Sequence, residues 1–126
     1  MTATTIILTL LLISGILYLV RKYSINQVEG SSMYPTFYSG QWILVKKSAT
    51  LTVDNVYVFD SPLGIPCLKR LHYIAVSPTD GKLSLFFVGD NLEDSIDSRS
   101  FGFIDPSKVI GQVVKFKEEI RKCILG

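Results

Sequence analysis

The run from Thr5 to Val20 is almost wholly apolar, no charge occurs in the first twenty residues, and Arg21 and Lys22 end the stretch. At about 1.5 Å rise per residue, a helix of this length spans roughly the 30 Å of a bilayer's hydrocarbon. This predicts a single membrane crossing over residues 1–22. A cleavable signal peptide would need a basic n-region and a small-x-small cleavage site, and neither is present around Tyr18-Leu19-Val20-Arg21-Lys22. An uncleaved anchor fits better. Because the first basic residues follow the span, the positive-inside tendency alone would place the rest of the chain in the cytoplasm.

Residues 23–126 suit one small domain. Acids and bases are interspersed at a net charge of +2, with no basic stripe to follow a phosphate backbone, so nucleic acid is not an expected partner. Cys67 and Cys123 lack metal-type spacing, and His72 has no second ligand pattern around it. No metal or cofactor is expected, and a disulfide is left open. Short β-rich runs dominate, which predicts a mostly β domain with strands at 25–28, 42–45, 56–59, 69–76, 83–88 and 109–116. Their continuous apolar character suggests strands covered on both faces, and Gly40, Pro62, Gly64, Pro66 and Pro106 punctuate the connections. Residues 115–125 allow a short C-terminal helix. Phe37, Tyr38 and Trp42 suit either a core or a membrane interface.

Asp80-Gly81 is a preferred two-residue turn, because Gly accepts the positive φ that primed turns require. Closed that way, it sets Thr79 opposite Lys82 and Lys69 opposite Leu92, give or take a register slip. Lys69 then lies beside residues 89–99, a segment dense in polar side chains.

Gly30-Ser31-Ser32-Met33-Tyr34-Pro35-Thr36 reads as a loop able to present Ser32. A serine needs a nearby base, and His72 projects from the opposite strand face to Lys69, so no Ser-His-Asp triad is arranged. Lysine remains. Its ordinary pKa of about 10.4 must fall for it to accept a proton, and an apolar setting does this by disfavouring the charged form. Ile65, Cys67, Leu68, Phe86 and Phe87 could supply that setting. Ser95 could aim the amine, while Asp97 with Arg99 would brace the loop.

Three segments in order, Gly30 to Thr36, Lys69-Arg70, and Gly89-Asp90-Asn91 followed by Ser95-Ile96-Asp97-Ser98-Arg99, resemble the boxes of type I signal peptidases. The resemblance runs from the anchor nearly to the last residue. It implies the β fold that this family shares with self-cleaving repressor proteases, and a membrane-bound endopeptidase that removes leaders from exported preproteins behind small residues of the Ala-x-Ala type. It also implies Ser32 as nucleophile, Lys69 as general base, Ser95 as orienter and Asp97–Arg99 as brace, with Gly30, Met33, Pro35, Asp90 and Asn91 in support. The backbone N–H of Ser32 would stabilise the oxyanion. Relatives often carry a second, hydroxyl donor where Gly30 stands here. The expected partners are preproteins, membrane lipid and the export translocon. The expected location is the outer face of a plasma membrane or of an organelle's inner membrane. Two other roles fit the same fold: a non-cutting assembly factor for secreted or pilus subunits, which would be expected to lack Ser32 or Lys69, and a conjugation-linked Ser/Lys peptidase.

Overall fold

The structure, a computed structural model, describes residues 2–47 and 50–114. Helix α1 runs over Ala3–Lys22, with the Thr2 hydroxyl accepting the N–H of Thr5 at its start and Arg21 and Lys22 in its last turn, where cations suit the helix dipole. None of its residues is buried, and its mean hydropathy reaches 2.3, so it is long and apolar enough to cross a membrane. The chain passes from it straight into the first strand, and the N–H of Lys47 donates back to the Lys22 carbonyl (2.8 Å).

Six strands follow: β1 Tyr23–Gln27, β2 Trp42–Lys46, β3 Val56–Asp60, β4 Pro66–Val76, β5 Leu83–Val88 and β6 Val109–Val113. They form one antiparallel sheet in the order β1-β2-β6-β3-β4-β5. Short helical turns at Leu92–Asp94, Ser98–Phe101 (α2) and Pro106–Lys108 join β5 to β6. The architecture is the mostly β fold behind a single apolar helix that the sequence predicts. The expected C-terminal helix, the last residues of the sixth predicted strand and Cys123 lie outside the described residues.

Strand alternation puts Val56 and Val58 on one side of β3 and Tyr57 and Phe59 on the other. Two apolar clusters result. Val28, Met33, Ile43, Val45, Val56 and Val113 form the first, with Phe37 packed against it. Tyr57, Phe59, Leu71, Leu85, Phe87 and Ile104 form the second, where the rings of Phe59 and Phe87 stack at 4.2 Å. Central β3 is therefore covered on both faces, as its unbroken apolar run suggests. Edge strand β1 is not, and Ile25 stands 71% exposed. Trp42 and Tyr38 are exposed as well, so of the three aromatics only Phe37 joins the core.

The β4–β5 hairpin departs from the expected two-residue turn. Its closing pair is Ser77 and Lys82, bonded at 2.9 Å, with Pro78 to Gly81 outside the ladder. Asp80 takes the N–H of Lys82 on its carboxylate (3.0 Å), and Gly81 N–H reaches Ser77 O (3.0 Å), so a wider turn satisfies these backbone groups. A bulge at His72 then shifts the pairing, and Arg70 faces Val88. Lys69 thus ends beside Gly89 rather than Leu92. The correction moves the register but still delivers Lys69 to the polar segment.

Candidate active site

Lys69 projects from β4 on the side that carries Cys67 and Leu71, opposite Tyr57 in the ladder. It is only 5% exposed, and its Nζ donates to Ser32 Oγ at 2.6 Å. Burial pushes the Lys69 amine below its ordinary pKa; the Cys67 thiol and the Asp97 and Asp94 carboxylates pull the other way without reversing that. A less basic amine within hydrogen-bonding reach of a hydroxyl can take its proton.

Ser32 sits in the loop between β1 and β2. Met33, 1% exposed, plugs the loop into the first cluster, and its Sδ accepts the N–H of Asp90 (3.4 Å). The Tyr34–Pro35 peptide bond is cis. Gly30 adopts φ +80°, a conformation that strains a residue with a Cβ. Among the described residues, the N–H of Ser32 donates to no acceptor.

The segment after β5 grips this loop from the other side. The N–H of Asn91 donates to Ser32 O (2.9 Å), and Asn91 Nδ2 to Ser31 O (3.0 Å). The Ser31 hydroxyl donates to Asp94, and the Thr36 hydroxyl to Asp90. Asp90 is itself clamped by Arg70 in a two-pronged pair, Nε to Oδ1 at 2.9 Å and Nη2 to Oδ2 at 2.7 Å.

Asp97, fully buried, is the hub of the same segment. It accepts from Gly89 N–H (2.9 Å), Ser95 Oγ (2.8 Å), Arg99 N–H (3.1 Å) and the Arg99 guanidinium (2.9 and 3.0 Å). Burial alone would raise its pKa, but the bonds from Arg99, Gly89 and Ser95 outweigh that and lower it to about 2. Ser95 spends its proton on Asp97 and makes no hydrogen bond to Lys69 among the described residues. Its oxygen keeps lone pairs that can accept from an ammonium.

Ser32, Met33, Lys69, Asp90, Asn91, Ser95, Asp97 and Arg99 meet in this cluster with Gly30 at the start of the loop, whereas Pro35 is exposed. Of the apolar residues expected around Lys69, Ile65 is exposed, Leu68 packs against the first cluster and Phe86 packs against Tyr73 and Phe103, because neighbouring strand residues face opposite ways. Gly89, Arg70, Thr36 and Asp94 stood in or near the same boxes without a role, and the structure supplies their contacts. For Gly89 the reason is space: a Cβ there would lie 2.1 Å from Ser95 Oγ and 2.7 Å from the Ser32 carbonyl oxygen. His72 stands exposed at the bulge, its ring edge-on to Tyr73 (5.7 Å). Cys67 is half-buried with a free thiol.

The site thus holds a hydroxyl within hydrogen-bonding distance of a buried amine, on an antiparallel sheet behind a helix long and apolar enough to cross a membrane. The family model described as signal peptidase, peptidase S26, matches residues 1–80 and 78–116, and the chain belongs to that family. A comparison with curated proteins gives no match.

Proposed function

We propose that this protein is a Ser/Lys endopeptidase that removes N-terminal signal peptides from exported preproteins, with Ser32 as nucleophile and Lys69 as general base. The observation that carries the reading is the 2.6 Å contact between Ser32 Oγ and an Nζ that is almost fully buried. Ser32 Oγ attacks the scissile carbonyl as neutral Lys69 takes its proton. The tetrahedral intermediate then collapses, Lys69 gives the proton to the departing amine of the mature protein, and an ester to Ser32 remains. Water, deprotonated by the same Lys69, hydrolyses that ester. The N–H of Ser32 holds the developing oxyanion.

Asp97 and Arg99 brace the segment, and Ser95 relays that bracing toward the amine. Residues 1–22 serve as the anchor and 23–126 as the catalytic domain, on the outer face of the membrane. Specificity for small residues at the −1 and −3 positions follows from the family resemblance. Ten residues separate Lys22 from Ser32, at most about 33–36 Å when extended, so the nucleophile works near the bilayer surface, where a leader embedded in the membrane presents its cleavage site.

The test is cleavage of a purified preprotein with an Ala-x-Ala leader by the full chain in liposomes, beside Ser32→Ala and Lys69→Ala. Release of mature protein by the wild type alone supports the reading. Equal inertness of all three with retained preprotein binding would replace it with the assembly-factor role.

A further inference from the structure

We infer that Asn91 is the positioning residue that aims the oxyanion donor, through its side-chain amide. The inference rests on the proposed role of Ser32 and concerns the two peptide planes that flank the Ser32 Cα. The plane before it contains Ser31 C=O and Ser32 N–H; the plane after it contains Ser32 C=O. One residue holds both. Asn91 Nδ2 donates to Ser31 O at 3.0 Å, and Asn91 N–H donates to Ser32 O at 2.9 Å. Because a carbonyl oxygen only accepts, chemistry requires the Nδ2 end of the amide to face Ser31.

A trans peptide is planar, with its N–H opposed to its C=O. Fixing Ser31 O from the Asn91 side therefore turns Ser32 N–H the other way, away from the segment after β5. That N–H donates to nothing among the described residues, and Gly30 offers no hydroxyl to share its task. The aim of that donor is therefore what this amide controls. The N–H of Tyr34 also reaches Ser31 O (3.1 Å), but Tyr34 belongs to the same loop and moves with it. Asn91 lies outside the loop, tied by chain to β5, and so references the plane to the sheet.

The loop does not depend on this amide for its attachment. Ser31–Asp94, Thr36–Asp90, the Met33 side chain and the N–H of Asn91 all hold it without using the side chain of Asn91. What the substitution frees is the orientation of one plane. The expected signature is a loss in kcat with little change in KM, since donor alignment matters most when negative charge has formed.

The experiment compares the full chain with Asn91→Ala and Asn91→Asp in liposomes, using the Ala-x-Ala preprotein and a peptide aldehyde that forms a hemiacetal with Ser32. Asp keeps the shape of Asn while replacing the donor with an acceptor, so it separates hydrogen bonding from packing should Ala disturb the loop. Expected for both variants is a fall in kcat of about a hundredfold, the low end for loss of an oxyanion donor. KM should stay within about twofold. Aldehyde affinity should weaken by the same factor as kcat/KM. A kcat within about threefold of wild type in both variants overturns the inference, as does a loss confined to KM and Tm, which marks a merely structural role. If instead the wild type does not cleave, or Ser32→Ala still does, the proposed function itself has failed.

Discussion

At the scale of single residues, the fold keeps one lysine in a setting that a lysine avoids. Lys69 is buried on β4, where its charged form is disfavoured, and its amine meets the Ser32 hydroxyl. A base must be neutral to work, and a folded pKa below the ordinary value makes the neutral fraction at any given pH larger than for a free lysine. The expected kcat/KM therefore rises with pH and levels off above the folded pKa of Lys69, its rising limb lying below the ordinary lysine value. A pH–rate profile checks this, and a limb at or above that value would remove Lys69 as base. Lys69→Arg should be inactive throughout, at least about 10²-fold down, because a guanidinium stays protonated. The same burial costs stability while Lys69 binds fewer protons folded than unfolded, so the wild type gains stability as pH rises toward the ordinary lysine pKa.

Among the elements, the end of β5 matters most. It leads from the second apolar cluster into the segment where Gly89, Asp90 and Asn91 touch the Ser32 loop, Arg70 and Asp97. Gly89 is the point of closest approach, lying against Ser95 Oγ and the Ser32 carbonyl with no room for a methyl group. Gly89→Ala must displace both Ser95 and the Ser32 carbonyl, or shift the Gly89 backbone itself. If the Ser32 backbone gives way, a shift of about 1 Å costs roughly 10² in rate. Preprotein cleavage and thermal unfolding check this: we expect a loss of activity of about that size, with a Tm drop of only a few degrees, and a fully active variant would show that the backbone at Gly89 shifts without moving Ser32.

For the whole molecule, the question is what α1 contributes. None of its residues is buried against the sheet, and its exposed surface is mostly Leu, Ile and Val. Removing residues 2–22 should therefore leave the strands able to pair, while the chain no longer stays with membranes after alkaline carbonate extraction. A soluble Ala-x-Ala peptide should be cut with kcat/KM within a few fold of the full chain. A leader held in liposomes should be cut at least tenfold more slowly, because enzyme and substrate no longer share one plane. Equal rates on both substrates would deny the anchor any part in substrate encounter. At the base of the helix, Lys47 returns to Lys22, and Lys46 pairs with Tyr23, so four cations from two distant stretches meet where the span ends. Only Arg21 and Lys22 lie within the stretch after the span that sets orientation, so the two added by folding do not strengthen that signal.

By itself the sequence determined the elements and the chemistry-bearing segments. An apolar run as long as a bilayer is thick can be read without tertiary contacts, and so can β-rich runs broken by Gly and Pro, because each is a local property of side chains and backbone. The candidate residues were legible only together: Ser32 and Lys69 are unremarkable singly, and it is their order with the Gly89 to Arg99 segment that resembles the boxes of a known family. Tertiary structure alone decided the register of the β4–β5 hairpin, since the wider turn and the bulge at His72 answer to hydrogen bonds across strands. It also decided that Lys69 is buried, that Ser95 gives its proton to Asp97, and that Gly89 is glycine for want of space. These are outcomes of packing between distant segments, such as Ser31 with Asn91, sixty residues apart. No window along the chain contains both partners.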